Sequence, residues 1–189
     1  MSKNKHGTIS FGKGDKRIVL FHMNKPIGGG VIGMVKSKIL PMPVAVVIDE
    51  TPADKRDYEF ACLACAENGI APRILLEREL YYDIMRGSTE ARVILLHELG
   101  HYYHQHLLQK VADRDNVRNT WALSGYTDPN EIEADMFAAS YLGAERTATG
   151  LLALVNRIQS HADAESSQLA VQELHWRISA LQSKNPAQK

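Results

Sequence analysis

The segment Val93-Ile-Leu-Leu-His97-Glu98-Leu-Gly-His101 constrains this chain more than any other. Four apolar residues run directly into two histidines and a glutamate. The segment predicts a helix that crosses a core while carrying groups a core accepts only when they are partnered. On such a helix His97 and His101 are four apart and share one face. Two imidazoles so placed can fill two positions of a tetrahedral zinc site. Glu98, next to the first histidine, can take a proton from a metal-bound water and later pass it to a leaving amine. The pattern is short and also arises by chance on amphipathic helices, so it needs a second element.

A catalytic zinc site takes three protein ligands and keeps one position open for water. Downstream, Asp128-Pro129-Asn-Glu131 reads as a helix start: an N-cap, a proline at the first helical position and a glutamate at the third. On that helix Glu131 and Asp135 share a face. Glu131 is the candidate third ligand. Asp135, one turn on, is the candidate acceptor for the free ring N–H of a metal-bound histidine, which would fix its tautomer. Glu133 lies two positions from Glu131, faces elsewhere and reads as a solvated carboxylate.

The rest of the chain sets the frame. It has 189 residues, 22 basic and 22 acidic side chains, and 44% hydrophobic content, which together predict one globular domain over residues 1–189. Zero net charge argues against a general polyanion binder, so nucleic acid is not indicated. No apolar run reaches the roughly 18 residues of a membrane span. The start of the chain has no signal-peptide core, and two cysteines make no disulfide framework. A soluble, cytoplasmic protein is expected. Residues 1–50 read as β-rich, with strands at Gly7–Phe11, Lys16–Met23 and Pro43–Ile48 and a hairpin turn at Gly12–Asp15. Gly28–Gly30 and Gly33 read as a flexible bend; with no GxxxxGK[ST] they are not a phosphate loop. Residues 51–183 read as the helical, zinc-binding part. A helix is expected from Thr51 to about Asn68, then a strand at Arg73–Glu77, and a helix from Ser88 or Thr89 through Leu108. Further helices run from Asp128 to near Gly143, from Glu145 to His161 and from Glu165 to Gln182. Residues 184–189 form a frayed tail.

Weaker signals surround the motif. His104 and His106 extend the histidine cluster. His104, seven after His97, falls near the ligand face but two turns away, which suits a surface or supporting role. Cys62-Leu-Ala-Cys65 lacks the partners of a zinc site and reads as two small buried thiols in the expected helix. Arg114–Thr120 and Ser124–Thr127 read as a loop rim facing the cleft.

His97-Glu-Leu-Gly-His101 followed by Glu131-x-x-Ala-Asp135 resembles the gluzincin metallopeptidases, over about half the chain from Thr89 to Leu181. Leu151–Val155 followed by His175-Trp-Arg177-Ile178 is similar to the HtpX-like branch, without its membrane helices. Glu131-Ile-Glu-Ala-Asp135-Met-Phe-Ala-Ala139 is similar to the ImmA/IrrE-type soluble peptidases, with aspartate where that motif has asparagine. The resemblance implies an α+β, zincin-like fold: a small mixed sheet in the N-terminal half packed on the HExxH helix, and a helical C-terminal half. It implies an edge strand along the cleft, for which Arg73–Glu77 is the candidate; the same segment could equally be a core strand. It implies one Zn2+ per chain on His97, His101 and Glu131, with Glu98 as general base for peptide-bond hydrolysis. His175 would donate to the oxyanion, unless it only packs the last helix; Tyr126 is a rival donor. The substrate would be a protein or peptide, and the ImmA/IrrE branch suggests a helix-turn-helix transcriptional regulator. The rival reading is a non-catalytic, zinc-stabilised module that binds a protein or DNA partner.

Overall fold

A computed structural model describes residues 7–27, 30–52, 55, 61–64, 72–106, 128–161 and 164–183. Its described elements are α+β: a six-stranded sheet and five α-helices. Thr8–Phe11 (β1) and Ile18–Ile27 (β2) form an antiparallel hairpin, with Thr8 opposite Phe21 and Phe11 opposite Ile18. The expected glycine turn closes it, Gly12 and Gly14 holding φ of 69° and 59° that other residues avoid. Val31–Ser37 (β3) lies between β2 and Val44–Ile48 (β4), antiparallel to both. Arg73–Leu76 (β6) runs parallel to β4, and Ala61–Ala64 (β5) pairs antiparallel with β6 on its far side. The sheet is therefore mixed, in the order β1-β2-β3-β4-β6-β5.

Three expectations are corrected here. Within the segment expected as a helix from Thr51 to Asn68, Ala61–Ala64 form strand β5, so the strand expected at Arg73–Glu77 is not the last of the sheet. Ala61-Cys-Leu-Ala64 is a short apolar run that periodicity cannot assign; its pairing with β6, where Ile74 and Leu76 are fully buried, decides the matter. The segment Arg73–Glu77 supplies an interior strand, and β5 takes the sheet edge. The flexible bend expected around Gly33 is strand β3. There Gly33 leaves room for the neighbouring Leu20 and the Tyr81 hydroxyl, which a Cβ would meet at 3.1 and 3.4 Å.

The helices start and stop largely where the local chemistry directs. Arg78–Arg86 (α1), which the sequence reading did not anticipate, ends at Gly87 with φ 100°. Thr89–Tyr103 (α2) is capped by Ser88, whose hydroxyl accepts from the Ala91 N–H at 3.4 Å. It stops at Tyr103, short of the expected Leu108. Pro129–Leu142 (α3) has the expected cap, Asp128 accepting from the Asn130 N–H at 2.8 Å. Ala144–His161 (α4) and Ala164–Ser183 (α5) follow, close to their expected bounds.

One apolar cluster joins the sheet to the helices: Leu20, Val35, Val46 and Ile74 with Tyr81 of α1, Val93 to Leu96 and Leu99 of α2, and Leu151, Leu154 and Leu181 beyond. α2 is buried on almost every side, as its apolar approach to His97 requires. Its Gly100 explains how closely α3 approaches. A Cβ there would lie 2.8 Å from the Ala134 Cα and 2.9 Å from its carbonyl oxygen. Among the described residues no helix is long and apolar enough to cross a membrane.

Candidate metal centre

The close crossing of α2 and α3 brings together the residues singled out by spacing. His97 and His101 project from α2, Glu131 and Asp135 from α3, and all four are buried. The Nε2 atoms of His97 and His101 are 2.9 Å apart. Glu131 closes the triangle, Oε2 lying 3.1 Å from His97 Nε2 and Oε1 lying 3.5 Å from His101 Nε2. One ligand atom from each of the three residues falls within 4.8 Å of the others.

The far side of each ring is held. His97 Nδ1 donates to Asp135 Oδ1 at 2.8 Å, the role expected of that aspartate. Arg177, from α5, donates to both Asp135 oxygens, Nε to Oδ2 at 2.7 Å and Nη2 to Oδ1 at 2.8 Å. Its Nη1 lies 3.2 Å from Glu131 Oε2. Arg177 Nη2 is also 3.1 Å from His97 Nδ1, but both atoms donate, and they converge on the same Asp135 oxygen. His101 Nδ1 faces His106 Nδ1 at 2.9 Å, and His106 Nε2 faces Glu133 Oε2 at 3.1 Å.

The electrostatics follow from burial and pairing. Burial raises the Glu131 carboxyl, but hydrogen bonds from His101 and His97 and the charges of His97 and Arg177 hold it well below the usual carboxylate range. Burial likewise opposes ionisation of Asp135, and Arg177 overrides it and lowers the group. Burial and the Arg177 charge oppose protonation of His97, yet hydrogen bonds to Asp135 and Glu131 push the ring up to about 9. Two ionised carboxylates thus face one guanidinium. Two Nε2 atoms at 2.9 Å, with both Nδ1 atoms engaged elsewhere, need a proton or a cation between them. The donor set of two imidazoles and a carboxylate is the one zinc takes in hydrolytic sites, so the residues fit that ion.

Glu98 is half-buried on the turn that carries the two histidines, and its Oε2 accepts the Leu63 N–H of edge strand β5 at 2.9 Å. The other candidates are placed less centrally. His175 is exposed on α5, and among the described residues no hydrogen bond or ion pair joins it to the cluster. The buried stripe of α5 runs through Leu174 and Leu181, and Arg177 falls on it while His175 is turned away. His104 is about one-third exposed and lies 3.8 Å from Glu133 Oε2. Glu133 is exposed as expected but touches His106 rather than only solvent. Cys62 is half-buried on β5. Cys65, Arg114–Thr120, Tyr126 and the tail 184–189 lie outside the described residues.

No sequence signal singled out Leu63 or the pairing of His106 with Glu133, and Arg177 stood out only as part of the segment His175-Trp-Arg177-Ile178. An arginine on a buried stripe, between Leu174 and Leu181, was a usable signal, because a buried guanidinium requires carboxylate partners. Compared with protein-family models, curated proteins and solved structures, the chain finds no match.

Proposed function

We propose that this chain is a zinc-dependent peptide hydrolase. The observation that carries the reading is the meeting of His97 Nε2, His101 Nε2 and a Glu131 oxygen in one buried cluster, on the helix that also carries Glu98. Zinc held by these three residues would supply a Lewis acid and a water acidic near neutral pH. Asp135 keeps the His97 proton on Nδ1 and so keeps the Nε2 lone pair facing the cluster. Arg177 neutralises part of the charge on Asp135 and Glu131 and ties α5 to α3. The Glu98 carboxylate receives the proton of the attacking water and returns it to the nitrogen of the leaving amine. β5 is one of the two outer strands of the sheet, and an extended peptide would add to it through backbone hydrogen bonds. The Leu63 N–H already links that strand to Glu98, so the proposed base and the proposed peptide track adjoin.

Glu98→Gln tests this reading. The amide keeps the shape but takes up no proton. Zinc content should be unchanged, while hydrolysis of an unfolded protein substrate should fall by about 10²–10⁴-fold. A variant as fast as the wild type would remove Glu98 from the base role. Zinc-loaded wild-type protein with no hydrolytic activity would favour the stabilised binding module instead.

A further inference from the structure

We infer that His106 and Glu133 form a proton-ordered support that positions His101 for metal binding, as Asp135 does for His97. The inference rests on the metal reading of the cluster. Two Nδ1 atoms face each other at 2.9 Å, so one carries the proton and the other accepts it. A neutral His101 that presents its Nε2 lone pair to an ion carries its proton on Nδ1. His101 is then the donor and His106 Nδ1 the acceptor. The single proton of a neutral His106 must therefore sit on Nε2, and there Glu133 Oε2 waits as acceptor at 3.1 Å. With both rings neutral, one arrangement of protons satisfies both contacts, and it leaves the His101 lone pair directed at His97 and Glu131.

The backbone provides an independent observation. His106 is five residues after His101, about 140° around a continuous helix, where the two rings could not meet in this way. The helix ends at Tyr103, and Gln105 adopts φ 58°, a left-handed conformation that a side-chain-bearing residue avoids. That turn folds His106 back until it is only 2% exposed. Strain of this kind persists where the surroundings over-determine it, and it concentrates at functional sites. The rival use of the same atoms is a second metal site on His104, His106 and Glu133, whose ligand atoms also lie within 4.8 Å of one another. The proton order argues against it: while His101 donates to His106, the His106 Nε2 holds a proton and offers no lone pair.

The test is the zinc dissociation constant by chelator competition, read together with zinc stoichiometry and the melting temperature of metal-stripped protein. His106→Phe keeps a ring in the buried space and should weaken zinc binding by about 10–100-fold. Glu133 is 57% exposed, so Glu133→Ala should leave the metal-stripped melting temperature unchanged while weakening zinc in the same direction, by less. Glu133→Gln, whose amide oxygen still accepts from His106 Nε2–H, should restore affinity towards the wild-type value. A purely structural role would not produce that rescue. Wild-type affinity in both His106→Phe and Glu133→Ala would overturn the inference. So would a second equivalent of zinc on the wild type that Glu133→Ala removes. Wild-type protein that binds no zinc would take down the metal reading itself, a result distinct from either.

Discussion

A metal ion at the proposed site would compete with a proton for the same atom of His97. Its pKa is pushed up to about 9 by Asp135 and Glu131, against an unperturbed value of about 6.5. A raised value means that protonation of this ring stabilises the metal-stripped fold; that contribution is complete below pH of about 6.5 and is lost as pH rises through about 9. A metal ion needs the Nε2 lone pair and must displace the proton. Zinc affinity should therefore climb about tenfold per pH unit from pH of about 7 towards about 9, then flatten. Affinity measured across that range and found constant would show that His97 Nε2 yields no proton to the metal. At the level of single residues the sequence was legible where the candidate residues follow helical spacing: His97 and His101 are four apart on one helix, and Glu131 and Asp135 four apart on another. It was silent on His106, because no glycine or asparagine marks the left-handed turn at Gln105 that brings the ring back.

Helix packing sets how precisely those residues meet. Gly100 sits between the two histidine-bearing positions and the α3 backbone, with a Cβ at that place 2.8 Å from the Ala134 Cα. The obstacle is backbone, which cannot rotate away. Gly100→Ala should force α2 and α3 apart, destabilise the fold by about 1–3 kcal/mol and weaken zinc binding. Thermal melting and zinc titration of the variant check both effects; a variant with wild-type stability and affinity would show that the crossing is not held at that contact. The glycine of the HELGH motif thus has a packing reason. The helix starts at Ser88 and Asp128 were legible because capping chemistry is local. β5 was not, because Ala61-Cys-Leu-Ala64 becomes a strand only through β6, and β6 was itself readable as either edge or core. The glycines near β3 masked a strand whose Gly33 serves close packing against Leu20 and Tyr81.

For the molecule as a whole, the cluster joins parts that are distant in the chain. α2 and α3 supply the proposed ligands, α5 closes over their carboxylates through Arg177, and the sheet presents one outer strand, β5, to Glu98. The α+β class was readable from the contrast between the two halves of the sequence. The mixed sheet agrees with the expected one, including the strand at Arg73–Leu76, but β5 falls in a segment read as helix. This arrangement makes one claim central: a single metal ion bound by two residues of α2 and one of α3. The most direct measurement is elemental analysis of purified protein alongside His97→Ala, His101→Ala and Glu131→Ala. About one zinc per wild-type chain is expected, with most of it lost in each variant. Full zinc occupancy in Glu131→Ala, or a wild-type protein that holds none, would contradict it.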